Sequence, residues 1–327
     1  MKQFTIDPIY HRDDYTKVVE EEVMSYLDDV VFDPLDDILE VNDIRLNEEK
    51  QREGHSALWH AILAGVIWYA DGMFTGSFSA AISKELRALG AKKTPAGFAL
   101  DFGYVPLPLR AAINTSAQRS QQVHEALINT LTGIAAFAKE APSTGIPFAK
   151  TVDVIVSDLQ EQFTETVSAK EEAPPVPELP PGMKDEETRL LEASAALVIR
   201  EYTIDLVQQL RGKIRENLIA GARTDRLAKI IQAQHGIAQR KARFIAENEV
   251  SKLISDFREE RYGDIGAGQY IWVTQHDERV RDDHWALEGR TFSWDNPPVT
   301  NRATGARNHP GQDYNCRCTA RPVIRIA

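Results

Sequence analysis

The side chains most able to do chemistry are concentrated between residues 270 and 322. This stretch contains both cysteines of the chain, Cys316 and Cys318, separated by one residue. Around them lie the histidines, carboxylates and arginines that folding could bring to the thiols: His276, Asp277, Arg279, Arg281, His284, His309 and Asp313, with Arg317 between the cysteines. A set of this kind can bind a metal, catalyse a reaction or hold a small fold together.

Metal binding is the first interpretation. Thiolate and imidazole are the ligands that Zn²⁺ prefers, and four of them close a tetrahedral structural site. The candidate ligands of a structural zinc ion are His284, His309, Cys316 and Cys318, with His276 or Asp277 as substitutes. The spacing is not one of the ordinary zinc signatures, which place ligands in CxxC or HxxxH pairs.

Packing is the alternative for the two cysteines. Cys316 and Cys318 would then be small buried thiols, with Arg317 between them pointing the other way. A disulfide is disfavoured, because two residues this close on an extended strand have poor bridge geometry.

The polar residues predict a structural centre that holds a long loop at 295–315 by side-chain ties, since arginine can bridge carboxylates and carbonyls bidentately. Its candidate members are Asp277, Arg279, Arg281, His284, Asp313 and Arg317.

An enzymatic interpretation uses the same residues. Asp283-His284, Asn296 and Asn308-His309 weakly resemble the His/Asn pattern of small ββα nucleases. In such sites a histidine activates water and a Mg²⁺ or Zn²⁺ ion stabilises the phosphate. The prolines Pro297 and Pro298, however, predict a loop where that fold requires a helix. A metal-dependent nuclease or toxin-like enzyme that uses His284 and His309 is therefore the alternative function.

Helical periodicity dominates the rest of the chain. It predicts helices at 13–32, ended by Asp33-Pro34, at 53–72, at 111–139 and at 153–168, and a short one capped by Ser77 or Ser79 and ended by Gly90. Later helices are predicted from 190 to Gly221, from an N-cap at Thr224 to Gly236, and from 237 to 261. The histidines at positions 55, 60, 124 and 235 are expected to be packing or surface residues.

A proline-rich segment divides the chain. Residues 171–183 contain five prolines among acidic residues, which predicts an extended linker rather than a helix. The predicted organisation is a helical N-terminal domain with an acidic arm at 1–170, the linker, long helices at 184–263 and a C-terminal module at 264–327. The expected fold class is α+β, mostly helical, with a small α+β module at the C-terminus.

Composition and charge exclude several classes of protein. The net charge is −11, and residues 1–50 alone contribute −10, whereas residues 205–243 carry +6. The longest apolar run spans 14 residues, which is too short to cross a bilayer, and no signal peptide is evident. Two neighbouring cysteines indicate synthesis in a reducing cytoplasm. No phosphate-binding GxxxxGK[ST] or GxGxxG pattern is present, so we expect no nucleotide site.

Several separated blocks then resemble one family. The order WVTQHDERVRDDHWALEGRTF, Pro297-Pro298, HPGQDYNCRC and ARPV is similar to the phage head morphogenesis domain of the Mu F type. The upstream run ARFIAENEV, with Arg243, Ile245, Ala246 and Glu249, resembles the helix that precedes this domain. The resemblance covers residues 224–323, about a third of the chain.

The resemblance implies a function that composition would not have suggested. It implies a non-enzymatic minor head protein that acts in head morphogenesis at the portal or the inner capsid, with a link to DNA packaging or ejection. The implied partners are the portal protein, other capsid proteins and packaged DNA, without membrane or nucleotide. The implied location is the host cytoplasm during assembly and the virion head afterwards.

Overall fold

The computed structural model describes residues 2–9, 13–50, 56–141, 144–171, 173–219 and 225–326, with backbone only at 2, 42–50, 225 and 326. Three positions of the sequence predictions, His55, Gly221 and Thr224, lie outside these residues. No helix in the described part of the chain is long and apolar enough to cross a membrane.

Helices form most of the described chain, as their apolar periodicity predicts. In chain order they are α1 (Asp13–Leu27), α2 (Asp33–Lys50), α3 (Ala57–Leu63), α4 (Ala80–Ala88), α5 (Leu107–Glu140), α6 (Ala149–Ser168), α7 (Met183–Ile219), α8 (Asp225–Asp264) and α9 (Asp282–Trp285). A π-helical segment (Asp28–Phe32) joins α1 to α2, and a 3₁₀ turn (Phe102–Tyr104) precedes α5.

Short antiparallel strands complete the fold. They are β1 (Lys2–Thr5), β2 (Ile67–Ala70), β3 (Met73–Gly76), β4 (Lys92–Thr94), β5 (Gly97–Ala99), β6 (Gln269–Val273), β7 (Thr291–Ser293), β8 (Val299–Asn301), β9 (Ala306–Arg307) and β10 (Thr319–Ile326). One sheet has the order β1-β10-β6-β7, a second the order β2-β3-β5-β4, and β8 pairs with β9. The expected α+β class, helical in its N-terminal and central regions, is confirmed.

The described chain divides into two compact units, each assembled from separated stretches. Unit 1 contains residues 1–26, 142–200 and 239–327, and unit 2 contains residues 27–141 and 201–238. The predicted linear boundaries at 170, 183 and 263 stay a prediction. Within unit 1, the irregular 173–182 segment is tied to its neighbours, because the carbonyl of Pro177 accepts hydrogen bonds from Arg261 at 2.6 Å and from Gln160 at 3.4 Å.

Three helix boundaries predicted from the sequence are wrong. The helix expected over 53–72 is α3 followed by the β2–β3 hairpin, whose turn residues Asp71 and Gly72 both have positive φ. The expected stop at Gly236 lies inside α8, where one interior glycine costs only about 1 kcal/mol. Asp33-Pro34 starts α2 instead of ending a helix, because proline is tolerated in a first helical turn.

Unit 1 contains the C-terminal module. In its four-stranded sheet, β10 pairs with both β1 and β6, so that Phe4 lies opposite Ile324 and Trp272 opposite Ala320. The alternation of β6 buries Tyr270 and Trp272 completely. The first and last strands of the chain are therefore neighbours around the core in which the candidate site lies.

Candidate functional site

Three elements of unit 1 bring the chemically active residues together. The strand β6 supplies Trp272, the short helix α9 supplies His284, and the irregular chain just before β10 supplies Cys316 and Cys318. His284 is 2% exposed, Cys316 3% and Cys318 5%, and the two thiols are free. Backbone pairing of β10 with β6 places Ala320, two residues after Cys318, opposite Trp272. The Trp272 ring contacts His284 edge-on with centroids 5.5 Å apart.

The His284 imidazole lies against both sulfurs through one nitrogen. Its Nδ1 is 3.5 Å from Cys316 Sγ and 3.5 Å from Cys318 Sγ. Among the described residues, these three form a group whose potential ligand atoms all lie within 4.8 Å of one another. His309, the fourth ligand of the predicted zinc set, does not belong to this group.

The other ring nitrogen of His284, Nε2, lies beside a carboxylate. Asp313 Oδ2 lies 3.1 Å from Nε2, at ion-pair distance although off the line of the N–H bond. Asp313 Oδ1 accepts a hydrogen bond from Asn308 Nδ2 at 2.6 Å, and Asn308 also donates to the buried Thr300 at 3.2 Å. The His284 ring is thus held between two thiols and an anchored carboxylate.

The electrostatics favour charge separation at this cluster. Burial lowers the pKa of His284, but the Asp313 carboxylate and Cys316 outweigh it and raise that pKa to about 9. A hydrogen bond from Cys318, together with the nearby imidazole, holds the pKa of Cys316 well below its usual value. The same hydrogen bond and burial raise the pKa of Cys318. These opposite shifts favour transfer of a proton from the Cys316 thiol to the His284 imidazole.

Two kinds of chemistry fit such a cluster. Cys316, His284 and Asp313 have the connectivity of a thiol nucleophile with its base and orienting acid. A nucleophile must, however, be reached by its substrate, and Cys316 is almost fully buried. Two thiols and an imidazole that can give up their protons also suit a thiophilic metal ion. Burial favours the second kind of chemistry.

His309 has a separate environment. Its Nδ1 is 2.9 Å from the hydroxyl of Tyr270, and its ring lies 4.9 Å from that of Trp294. Burial lowers its pKa, which favours the neutral ring. Its backbone N–H donates to Gln312, which in turn donates to Asp256 on α8 at 3.3 Å. The structure therefore places His309 in the aromatic core and does not bring it together with His284.

The predicted polar centre is divided between the cluster and a second group of ties. Arg317 donates two hydrogen bonds of 2.6 Å to the two carboxylate oxygens of Asp277. Asp277 also accepts from the backbone N–H of Arg279 at 3.0 Å. Arg281 donates to the carbonyl of Tyr314. These contacts connect the 275–281 loop to the 311–318 segment, whereas His284 and Asp313 belong to the thiol cluster.

A cavity of about 330 Å³ lies beside the cysteines within unit 1. Its wall includes Cys316 and Cys318, the arginines Arg243 and Arg279, and Glu247 of α8. Most of the side chains that line it are polar or charged, which suits water and small ions.

Sequence patterns did not identify every residue that shapes the site. Asn248 of α8 accepts a hydrogen bond from the backbone N–H of Asn315, which has a positive φ of 51°. Trp272 forms the aromatic wall beside His284. The sequence shows Asn248 only as an asparagine within a predicted helix and Trp272 only as a tryptophan on the apolar face of a strand. Neither pattern indicates which residue the side chain contacts.

The C-terminal part of the chain is similar to a known protein family. Residues 208–321 match the family model described as Phage Mu protein F like protein. This stretch is similar to that family and is called the Mu F-like domain below. The predicted resemblance to the Mu F type is thereby confirmed over about a third of the chain, and the match includes every predicted site residue from His276 to Cys318.

The chain is also similar to part of one longer bacterial protein. An uncharacterized protein of Haemophilus influenzae is 29% identical over 139 residues, which are 42% of this chain. The aligned region spans 30% of that relative's length. No solved structure matches the chain.

Proposed function

We propose that this chain is a minor head protein of a tailed phage that acts in head morphogenesis, bound at the portal vertex or the inner capsid. The Mu F-like domain supports the broader statement, since this family suggests a head morphogenesis protein with a structural rather than an enzymatic role. Attachment to the portal, a place in the virion and a link to DNA packaging or ejection are the finer parts of the proposal.

The match to the Mu F-like family model is the observation that carries this proposal. The geometry of the matched region is consistent with an assembly component. Its long loops are tied by side chains, as in the Arg317–Asp277 and Arg281–Tyr314 contacts, and its two cysteines are buried together with His284 and His309. Such a module presents a fixed surface to a partner, because few of its polar groups are free to rearrange.

Charge supports protein partners on one surface and DNA on another. In unit 2, exposed carboxylates lie along the π-helical segment and the first turns of α2. They are Asp29, Asp33, Asp36, Asp37 and Glu40. This surface repels DNA and suits a basic protein surface, such as one on a portal or capsid protein.

Basic side chains lie near the end of α7 and the start of α8, also in unit 2. Arg215, Arg226 and Lys229 are exposed there. They can contact either packaged DNA, through its phosphates, or an acidic protein surface. Aromatic residues for base stacking are lacking along 205–243, so a contact to DNA would be made to its backbone.

The nuclease alternative gains no support from the geometry. It requires His284 and His309 to act at one metal site, and these histidines contact different partners, the thiols in one case and Tyr270 in the other. We therefore make no proposal for a nuclease.

The test is to delete the gene from the phage or prophage that encodes this chain and to supply the chain in trans as the control. We expect the deletion to yield few or aberrant heads by electron microscopy, and the full-length chain to restore normal heads.

Mass spectrometry of purified virions and of emptied particles then decides the location of the chain. The chain should be present in virions, and its loss from emptied particles would indicate ejection. Normal heads without the gene, together with absence from virions, would overturn the proposal.

A further inference from the structure

We propose that His284, Cys316 and Cys318 bind a thiophilic divalent cation, Zn²⁺ in the cell, through the imidazole Nδ1 and the two Sγ atoms. This site lies in the Mu F-like domain but does not depend on the role of the chain in the head. It differs from the ligand set expected from the sequence, because it excludes His309.

The interatomic distances fit one shared metal ion. Zinc binds thiolate at about 2.3 Å and imidazole at about 2.0–2.1 Å, so a tetrahedral ion separates sulfur from nitrogen by about 3.6 Å. Both Sγ atoms lie 3.5 Å from His284 Nδ1. A hydrogen bond between a thiol and an imidazole would account for one such contact, whereas a cation between the three atoms accounts for both.

The surroundings of His284 fit a metal ligand. Ligating histidines usually direct their second ring nitrogen to a carboxylate or a carbonyl, which fixes the orientation of the ring. Asp313 Oδ2 takes this position at 3.1 Å from Nε2, and Asn308 anchors Asp313 through a 2.6 Å hydrogen bond. Nδ1 is thereby directed to the sulfurs, and the Trp272 ring covers the imidazole on one side.

The donor set indicates the kind of cation. Two sulfurs and one imidazole, all nearly fully buried, favour Zn²⁺ over Mg²⁺ or Ca²⁺, which bind oxygen ligands. The described histidines, cysteines and carboxylates supply three ligands to this group. A water molecule completes the tetrahedron, and the 330 Å³ cavity whose wall includes both cysteines offers it a route.

The first test uses the reduced full-length chain after removal of metal with a chelator. Added Co²⁺, a spectroscopic substitute for Zn²⁺, should give the thiolate-to-metal charge-transfer absorption and the intense visible bands of a tetrahedral ion, at one equivalent. Zn²⁺ should then displace the Co²⁺ and abolish these bands. A wild-type chain that shows no thiolate–cobalt absorption would overturn the proposal, and this measurement needs no variant.

Variants distinguish the three-ligand site from its alternatives. Cys316→Ser, Cys318→Ser and His284→Gln should each lose the cobalt spectrum and the co-purified zinc, while circular dichroism reports whether the variant folds. Asp313→Asn should weaken zinc binding about 10–100-fold. The matched control is His309→Gln, which should retain one zinc per chain. Loss of zinc in a folded His309→Gln chain, or retention in the Cys316→Ser/Cys318→Ser chain, would contradict the assigned ligands.

Discussion

The contact between Arg317 and Asp277 shows how single residues hold the C-terminal module. Two parallel N–H···O hydrogen bonds of 2.6 Å join the planar guanidinium to the carboxylate. Hydrogen bonding to Arg317 lowers the pKa of Asp277, so the carboxylate stays ionised. Arg317 is partly exposed, whereas Cys316 and Cys318 on either side of it are buried.

Replacing this arginine tests the importance of its forked geometry. Arg317→Lys keeps the charge but loses the bidentate pair, so we expect a fall in the unfolding temperature of about 1–3 °C, limited by the partial exposure of both side chains. Arg281→Lys should act in the same direction, because Arg281 donates to the carbonyl of Tyr314. Differential scanning calorimetry measures both changes.

Arg279→Lys is the matched control for these variants. Arg279 is exposed, and the contact that Asp277 makes with it uses its backbone N–H, which the substitution leaves intact. An Arg279→Lys chain that melts as low as the Arg317→Lys chain would show that the bidentate pair has no special role.

At the scale of elements, the sequence predicted what depends on local patterns. The apolar stripe of α7 and the Ser79 cap of α4 are confirmed, since Leu191, Ile199 and Leu210 are buried and Ser79 accepts from the backbone N–H of Ile82. The β2–β3 hairpin was missed, although its Asp-Gly turn between two apolar runs is the usual signal for one.

The candidate site depends on contacts that no local pattern specifies. Sequence spacing placed Cys316, Cys318 and His284 in one small module, but it could not separate His309 from them. That separation depends on the pairing of His309 with Tyr270, 39 residues away, and on the packing of Trp294. The prediction of a centre tied by side chains required only residue types, whereas the choice of ligands requires the tertiary structure.

The loop before the cysteines contacts α8 closely at Gly311. Its φ is +98°, and a Cβ at this position would lie 3.0 Å from the backbone oxygen of Ser251 and 3.3 Å from the Ser255 Cβ. Gly311→Ala should therefore combine backbone strain with a steric clash and reduce the free energy of unfolding by about 2–4 kcal/mol. Urea unfolding of the full chain measures this change.

Gly305 provides the matched control in the same long loop. Its φ is +74°, but a Cβ there meets no atom within 4 Å. Gly305→Ala should therefore cost about 1–2 kcal/mol, which is the backbone strain alone. Equal losses in the two variants would show that the approach of Gly311 to α8 is not restrictive.

Near its start, α7 contains a buried acidic residue, Glu187. Glu187 is 5% exposed; its burial, with the negative charges of Asp256, Glu260 and Glu186, raises its pKa from 4.5 to about 8. Because the folded pKa is raised, the folded chain retains a proton that the unfolded chain has released. Stability contributed by this group is present below pH 4.5 and is lost as the pH rises towards 8.

Glu187→Gln should remove this loss. We expect the variant to match the wild type at pH 4 and to exceed its free energy of unfolding by about 1–3 kcal/mol at pH 8. Urea unfolding at several pH values measures the difference, and Glu192→Gln on the same helix is the control. A Glu187→Gln chain whose advantage does not grow between pH 4 and 8 would contradict the assignment.

At the scale of the whole molecule, chain order and spatial order differ. Unit 1 combines residues from both ends of the chain with the middle stretch 142–200. The strand β1 pairs with β10 over four residue pairs, from Lys2–Ile326 to Thr5–Val323. Arg258 of α8 donates to the carbonyl of Ile9, a second connection between the N-terminal stretch and the C-terminal half. A cut between positions 171 and 182 would therefore divide unit 1 without removing these contacts.

This arrangement leads to a prediction about limited proteolysis. The proline-rich segment at 171–182 should be cut early, because its prolines exclude helix and several of its residues are exposed. Two stable fragments should appear on a denaturing gel, as the predicted linker requires. They should nevertheless elute together in native size-exclusion chromatography, since β1–β10 pairing and the hydrogen bond from Arg261 to the Gln160 side chain join them. Deleting residues 1–6, which removes β1, should loosen this association. Fragments that separate under native conditions would instead support two independently folding parts divided at the linker, and early cutting elsewhere would argue against both arrangements.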